Sequence, residues 1–374
     1  MEKDLSESIQ EIVDDKEDFY TNDDLFEIKS WGADLSFREL ITMYKEEELL
    51  KPELQRNYVW DKIEASRFID SLLLGLPVPS IFLASTKDET KLIIDGYQRI
   101  MTVHDFVEGI FNKDKSVFKL SNSEKINKRW RNKSFKELDD KSQRKIKSTT
   151  IHAIYFEQNS PKDDNTSLYQ IFERINTSGK TLMSQEIRNC VYQGPFNTLL
   201  FELNKCEKWR ALFGSIDQDN RMRDMEFILR FFALKEIFKT EKKTGQISLK
   251  NYLNTFMGKK ESNLPETIEA RRKEFLTTID FIYDKIGLSA FKNISVFDAG
   301  KVINKFHPTI FDSLSIAVSL LLDENSHYLP KGNLEEKRQQ LLMNQDYVSY
   351  ISSRTTNLEN IHGRIKFCLD ALRA

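Results

Sequence analysis

The chain has 374 residues, 40% of them hydrophobic and 30% charged, and a formal net charge of −2. This is the composition of a globular protein, not of a disordered or fibrous one, and the length leaves room for two or three domains. The three cysteines lie far apart and the five histidines are scattered singly, which argues against a disulfide scaffold and against a zinc site.

The first residues are acidic and polar, without a basic start or an apolar run. The longest apolar stretch, near Leu314 to Leu322, is too short to span a bilayer. The expectation is a cytoplasmic protein with no membrane contact. The small net charge hides an asymmetry. Residues 1–27 carry eleven acids against two lysines, and residues 125–147 carry ten basic residues against three acids. The two segments can pair with each other, or the basic one can meet nucleic acid, or both can be solvated surface.

In chain order, residues 1–23 read as an acidic arm with few apolar positions. Leu25–Ile28 is a short strand candidate. Leu35–Glu47 reads as an amphipathic helix capped by Asp34 or Ser36. Lys51–Trp60 is irregular. Lys62–Leu74 is helical and is ended by Gly75, with Pro77 and Pro79 beyond it. Ile81–Ala84 and Lys91–Asp95 are strands around a polar turn, and Gly96–Glu108 is a helix closed by Gly109. Ile151–Phe156 alternates as a further strand. The remainder reads as helices over 167–176, 184–192, 196–204, 223–238, 248–256, 266–286, 308–322 and 358–372. The fold class is therefore α+β, with a small N-terminal mixed-sheet domain over 24–160 and a mainly α-helical domain over 161–374.

The strongest local feature is KLIID-GYQR-IMTVHDF. A strand ends at Asp95, the chain turns at Gly96, and a helix begins at Tyr97. Such a turn presents first-turn amides beside a residue with no side chain, where an anion can approach the backbone. Arg99 can grip phosphate with its planar fork. Asp95 can hold a hydrated Mg2+ or orient water, and Gln98 can position a water or a phosphate oxygen. The same residues also fit a purely architectural role: a cap, a turn and a surface charge.

Two other segments carry chemistry. Gln55-Arg56-Asn57-Tyr58-Val59-Trp60 interleaves polar and aromatic residues, so that Arg56 can add a phosphate contact while Tyr58 and Trp60 wall a base or fill the core. Phe172–Leu182 contains Gly179-Lys180-Thr181 but is not a P-loop: Arg174 stands where that motif needs its first glycine, and a helix precedes it instead of a strand. Asn-Thr-Ser-Gly reads as a helix C-terminus, and Ser184 as the cap of the next helix. Arg174, Asn176, Lys180, Glu186 and Arg188 can still face a ligand. Within the basic segment, Lys128, Arg129, Arg131 and Lys133 surround Trp130 and make a candidate nucleic-acid contact.

Together these motifs resemble domain-of-unknown-function family 262, of the ParB/sulfiredoxin-like fold group, whose relatives include GmrSD-type restriction systems. The family pattern runs Q-R-x-x-V-W, I-x-S-L-L-x-G-x-P-x-P, D-G-Q-Q-R and I-N-T-G-G-x-x-L-x-x-x-E-I-R. Here it stands as Gln55-Arg56 with Val59-Trp60, then Ile69 to Pro79, then Asp95-Gly96-Tyr97-Gln98-Arg99, then Ile175 to Gly179 with Leu182 and Glu186-Ile187-Arg188. The resemblance covers roughly residues 35–200. It implies nucleoside triphosphate binding, with Mg2+, at Gln55, Arg56, Asp95, Gly96, Gln98 and Arg99, and secondarily at Tyr97, Asn176, Glu186 and Arg188. It also implies a hydrolase that controls a DNA-targeting nuclease. Tyr97 replaces the first Gln of the loop, which implies binding with slow turnover, and Ser178 replaces a Gly. His327-Tyr328-Leu329-Pro330 with Gly332-Asn333-Leu334 only faintly echoes an HNH nuclease, since no second His follows at usable spacing.

Three readings follow. One is an NTPase or NTP sensor in restriction or anti-phage defence. Another is a ParB-like DNA-binding module without turnover. The third is an interaction or toxin-type subunit whose partner nuclease or helicase supplies the chemistry. A homodimer is a candidate assembly under any of the three.

Overall fold

The structure is a computed structural model, and it describes residues 9–10, 27–50, 60–86, 89–160, 166–175, 183–240, 242–295 and 301–374. The chain divides into two compact units. One is Asp24–Thr181 with Asn189–Val191; the other is Met1–Asp23 with Leu182–Arg188 and Tyr192–Ala374. The first holds a mixed sheet with helices and the second is mostly helical, as the α+β reading expects.

The sheet unit contains β1 (Glu27–Ser36), α1 (Phe37–Lys45), β2 (Leu49–Leu50), α2 (Lys62–Leu74), β3 (Ile81–Ser85), β4 (Lys91–Asp95) and α3 (Tyr97–Glu108). A short hairpin of β5 (Ile110–Phe111) and β6 (Ser116–Val117) follows, then α4 (Asp140–Ser148), β7 (Thr150–Ser160) and α5 (Thr166–Ile175). The five-stranded sheet has the order β1-β7-β3-β4-β2. β1 runs antiparallel to β7, β7 parallel to β3, β3 antiparallel to β4, and β4 parallel to β2. The expected boundary at 160/161 falls between β7 and α5, and α5 lies with the sheet unit.

Alternation decides the faces. Ile81, Leu83, Ile93, Ile151, Ala153 and Tyr155 are buried in one core with Phe37, Leu40, Phe68, Ile69, Leu72, Ile100 and Phe106 from the first three helices. Local signals fix the helix ends. Ser36 caps α1 in a reciprocal box with Glu39, and Asp61 does the same for α2 with Glu64. Gly75, at φ +80°, closes α2.

Several elements go beyond the sequence expectation. β1 extends to Ser36 because it is an edge strand, exposed along most of its length, so its residues show little apolar alternation. Leu25 and Phe26 lie outside the described residues. The basic stretch contains a helix, α4, whose single buried residue is Ile146; its start is fixed by Asp139, which accepts Ser142 N at 2.8 Å. Met183, not Ser184, is the N-cap of α6 (Ser184–Val191), because the Glu186 carboxylate reaches back to Met183 N at 2.6 Å.

The helical unit comprises α7 (Pro195–Leu203), α8 (Glu207–Phe213), α9 (Arg223–Lys239), α10 (Leu249–Gly258), α11 (Pro265–Lys285), α12 (Pro308–Glu324), α13 (Leu334–Met343), α14 (Gln345–Ser352) and α15 (Leu358–Arg373). An unexpected antiparallel pair, β8 (Lys292–Ile294) and β9 (Val302–Phe306), precedes α12. No helix among the described residues is long and apolar enough to cross a membrane. α12 is buried along nearly its whole length and packs against α9, α11 and α15. Two of its hydroxyls are satisfied within the helix: Ser313 donates to Thr309 O at 2.9 Å and Ser315 to Phe311 O at 2.6 Å. Asp312 is fully buried between Arg230, at 2.6 Å, and Arg364, at 3.3 Å. Removing one partner of such a buried group leaves an uncompensated charge, which costs about 3–5 kcal/mol.

His307 sits at the start of α12, 2% exposed. Burial pushes its imidazole down to about 4, with Arg364 lowering it further and Asp312 opposing. The folded value lies below the ordinary 6.5, so protonation favours the unfolded chain. This contribution leaves stability intact above pH 6.5 and erodes it as pH falls toward 4, by on the order of 3 kcal/mol. In a thermal-unfolding series at pH 7, 6, 5 and 4, His307→Asn is expected to lose less Tm than the wild type. Parallel pH curves for the two would refute the assignment.

Candidate functional site

β4 delivers Asp95 to the edge of the core, and α3 starts two residues later. Gly96 makes this turn at φ +101°. A β-carbon here would lie 2.3 Å from Ile81 Cγ2, so both the backbone angle and the space require glycine. Gly96 also brings no side chain to cap the helix, whose first intrahelical bond is Ile100 N to Gly96 O at 3.0 Å.

Tyr97 is 6% exposed and belongs to the core of the sheet unit. Burial, then Tyr44, then Asp105, hold its hydroxyl far above the ordinary tyrosine range. Tyr97 was expected beside the ligand, but its ring is an interior packing residue. Arg99 folds back over the turn, its side chain largely covered, and donates to Asp95 Oδ2 at 2.6 Å and to Pro79 O at 3.1 Å. Of the five N–H donors of a guanidinium, these use two. Gln98 Oε1 accepts from Trp60 N at 3.3 Å, which ties the end of the Gln55–Trp60 motif to the loop. Trp60 itself packs edge-on against Phe68. Gln55, Arg56 and Asn176 lie outside the described residues.

Glu186 and Arg188 belong to the helical unit and are taken up there. Arg188 is 1% exposed and donates to Glu226 at 2.8 Å, to Asn254 at 2.8 Å and to Gln185 at 3.1 Å. Glu186 caps α6 and lies 3.3 Å from Arg221. Among the described residues no group of three or more His, Cys, Asp or Glu is placed to hold a metal ion. A Mg2+ at Asp95 would depend on substrate phosphates and water for its other ligands.

The basic segment is an ordered loop followed by a helix. Trp130 is 7% exposed, and its indole N–H is bonded to Asp70, which also accepts Asn127 N at 3.1 Å. Trp130 is thus an anchor. Arg131 is engaged with the carbonyls of Ile126, at 2.6 Å, and Glu124, at 2.9 Å. Lys128, Arg129 and Lys133 are exposed. Asp70 was not singled out from sequence; the only signal was a carboxylate on the otherwise apolar side of α2.

Residues 37–193 match the family described as GmrSD restriction endonuclease, N-terminal domain. The matched stretch begins at α1, contains the Asp95–Arg99 turn and ends just after α6. No curated protein and no solved structure matches the chain.

Gly96→Ala is expected to cost at least about 1–3 kcal/mol from the left-handed backbone, with the Ile81 clash added. Chemical denaturation should show it as a lower midpoint, whereas Gly109→Ala, which meets nothing within 4 Å, carries only the backbone term. Equal losses for the two would remove the argument for close approach at Gly96.

Proposed function

We propose that the sheet unit binds a nucleoside triphosphate at Asp95-Gly96-Tyr97-Gln98-Arg99 and that the protein acts in restriction-type defence against DNA. The supporting observation is the turn itself. A glycine that has no room for a β-carbon opens a helix, with a partly open carboxylate before it and a guanidinium in the first turn that bonds back to that carboxylate. Such a turn suits a phosphate: backbone amides and the helix dipole favour negative charge, and Arg99 retains N–H donors for it. Asp95, released from Arg99 by the incoming anion, would hold Mg2+ together with phosphate oxygens. Gln98 stands beside the turn to orient water or an oxygen. The similarity of residues 37–193 to a restriction endonuclease domain favours DNA-directed defence, and the relation to ParB/sulfiredoxin-like proteins is part of the same proposal.

The test is phosphate release from ATP, GTP, CTP and UTP with Mg2+, with and without DNA. Arg99→Ala is expected to lower nucleotide affinity at least about tenfold, since charge-assisted bonds contribute about 1.5–3 kcal/mol. Asp95→Ala should abolish the Mg2+ dependence. Wild-type affinity in Arg99→Ala would refute the site.

A second reading, DNA binding without turnover, is favoured by the exposed Lys128, Arg129 and Lys133 on a loop that Asp70 and Trp130 hold in place. It predicts that log affinity for duplex DNA falls linearly with log salt, and that the triple substitution Lys128→Ala, Arg129→Ala, Lys133→Ala flattens that slope by up to about 3. An unchanged slope would exclude this surface. An interaction subunit that relies on a partner nuclease or helicase would show neither activity when isolated.

A further inference from the structure

A row of residues crosses three strands in register: Gly32 on β1 pairs with Ile154 on β7, and Ile154 with Phe82 on β3. These three point to one face, the face away from α1–α3. Phe82 in turn pairs with Asp95 on β4, beyond a register shift that separates this pair from Leu83 and Ile93. His152 lies two residues from Ile154 and shares that face, displaced toward the sheet end where β4 turns at Gly96. Two strand spacings place it roughly 10 Å across the sheet from the turn.

His152 is built into position. Its Nδ1 lies 2.8 Å from Asp34 Oδ1. A carboxylate only accepts, so Nδ1 carries the hydrogen of this pair, and Nε2, on the Gly32 side of the ring, is the second ring nitrogen. The ring rests on Gly32, where a β-carbon would come within 2.6 Å of Cε1 and 2.7 Å of Nε2. Both side chains remain open, at 51% exposure for His152 and 70% for Asp34. On the same face Phe82 and Phe156 stack, with centroids 5.9 Å apart and planes 14° apart, and both are half-buried. Ala84, beside Phe156, and Leu92 are covered, so this face is open at the His152 end and closes along the Phe82–Phe156 stack.

We propose that the Asp34–His152 pair and the Phe82–Phe156 shelf receive the ribose and base of a nucleotide whose phosphates sit at Gly96. The inference rests on the phosphate reading of that turn. An oriented imidazole supplies a directional hydrogen bond to a hydroxyl or base edge, and an aromatic shelf offers a π-face that any base can stack on. The span of roughly 10 Å is that between the phosphates and the base of an extended nucleotide.

The experiment compares affinities for ATP, GTP, CTP, UTP and inorganic tripolyphosphate, with Mg2+, in the wild type, His152→Ala and Gly32→Ala. His152→Ala is expected to weaken the preferred nucleotide about tenfold and to leave tripolyphosphate within about twofold. Gly32→Ala, which keeps both members of the pair but displaces the ring, should do the same. Equal losses for nucleotide and tripolyphosphate, or a lower Tm with unchanged affinities, would overturn the inference and leave the pair as an edge-strand staple. If the wild type binds tripolyphosphate as tightly as every nucleotide, the phosphate reading survives and this one falls. If it binds neither, both fall.

Discussion

At Gly96 the backbone passes so close to Ile81 that no side chain fits between them. Ile81 opens the central strand β3, so this approach locks the end of β4 and the start of α3 onto the middle of the sheet. Much else in the unit follows from it. With α3 held there, Tyr97 and Ile100 face the core, while residue 99, four beyond Asp95, comes back over the turn. Pro79 O, one residue short of Ser80, completes the seat of Arg99. A single steric constraint thus sorts the five residues of the turn into packing and presentation.

The turn was largely legible in the sequence because the apolar period changes from two to 3.6 at a glycine, and the limits of β4 and α3 follow. The direction of Tyr97 was not legible: an aromatic beside polar residues reads equally well as a ligand wall or as core, and only the rotation of α3 about its axis decides. Trp130 read only as the centre of a candidate nucleic-acid contact, because the partner that anchors it, Asp70, lies 60 residues away. β1 and α4 carry few buried residues, so periodicity had little to register there. α8, α13 and α14 are short segments between longer helices, where turn residues and helix residues intermingle. Asp34 read only as a candidate helix cap and His152 drew no notice, because their pairing depends on the register of two strands more than a hundred residues apart.

Arginine has two different roles in this chain. Arg188, Arg210, Arg230 and Arg364 are nearly closed to solvent and engaged by carboxylates, amides and carbonyls of the helical unit. There they neutralise buried acids and fix the mutual positions of helices, and loss of one partner exposes the full desolvation cost of the other. Arg99 is also largely covered, with Asp95 and Pro79 O as its acceptors among the described residues. Composition and spacing make these residues look alike. What separates Arg99 from Arg210, Arg230 and Arg364 is the carboxylate each one holds: Asp224 and Asp312 are closed to solvent, whereas Asp95 is partly open.

Ile9 pairs with Phe306, and Gln10 N donates to Phe306 O at 2.8 Å. Phe306 itself lies among Trp209, Phe213, Phe227, Phe291 and Phe311. The helical unit is therefore assembled from both sides of the sheet unit in sequence, and one of its seams joins residues nearly 300 positions apart. During synthesis at about 5–20 residues per second, the segment around Ile9 emerges roughly 15–60 seconds before its partner exists. The sheet unit has its whole sequence long before that moment, so the ribosome can deliver it complete while the helical unit still waits for the strand that Ile9 pairs with.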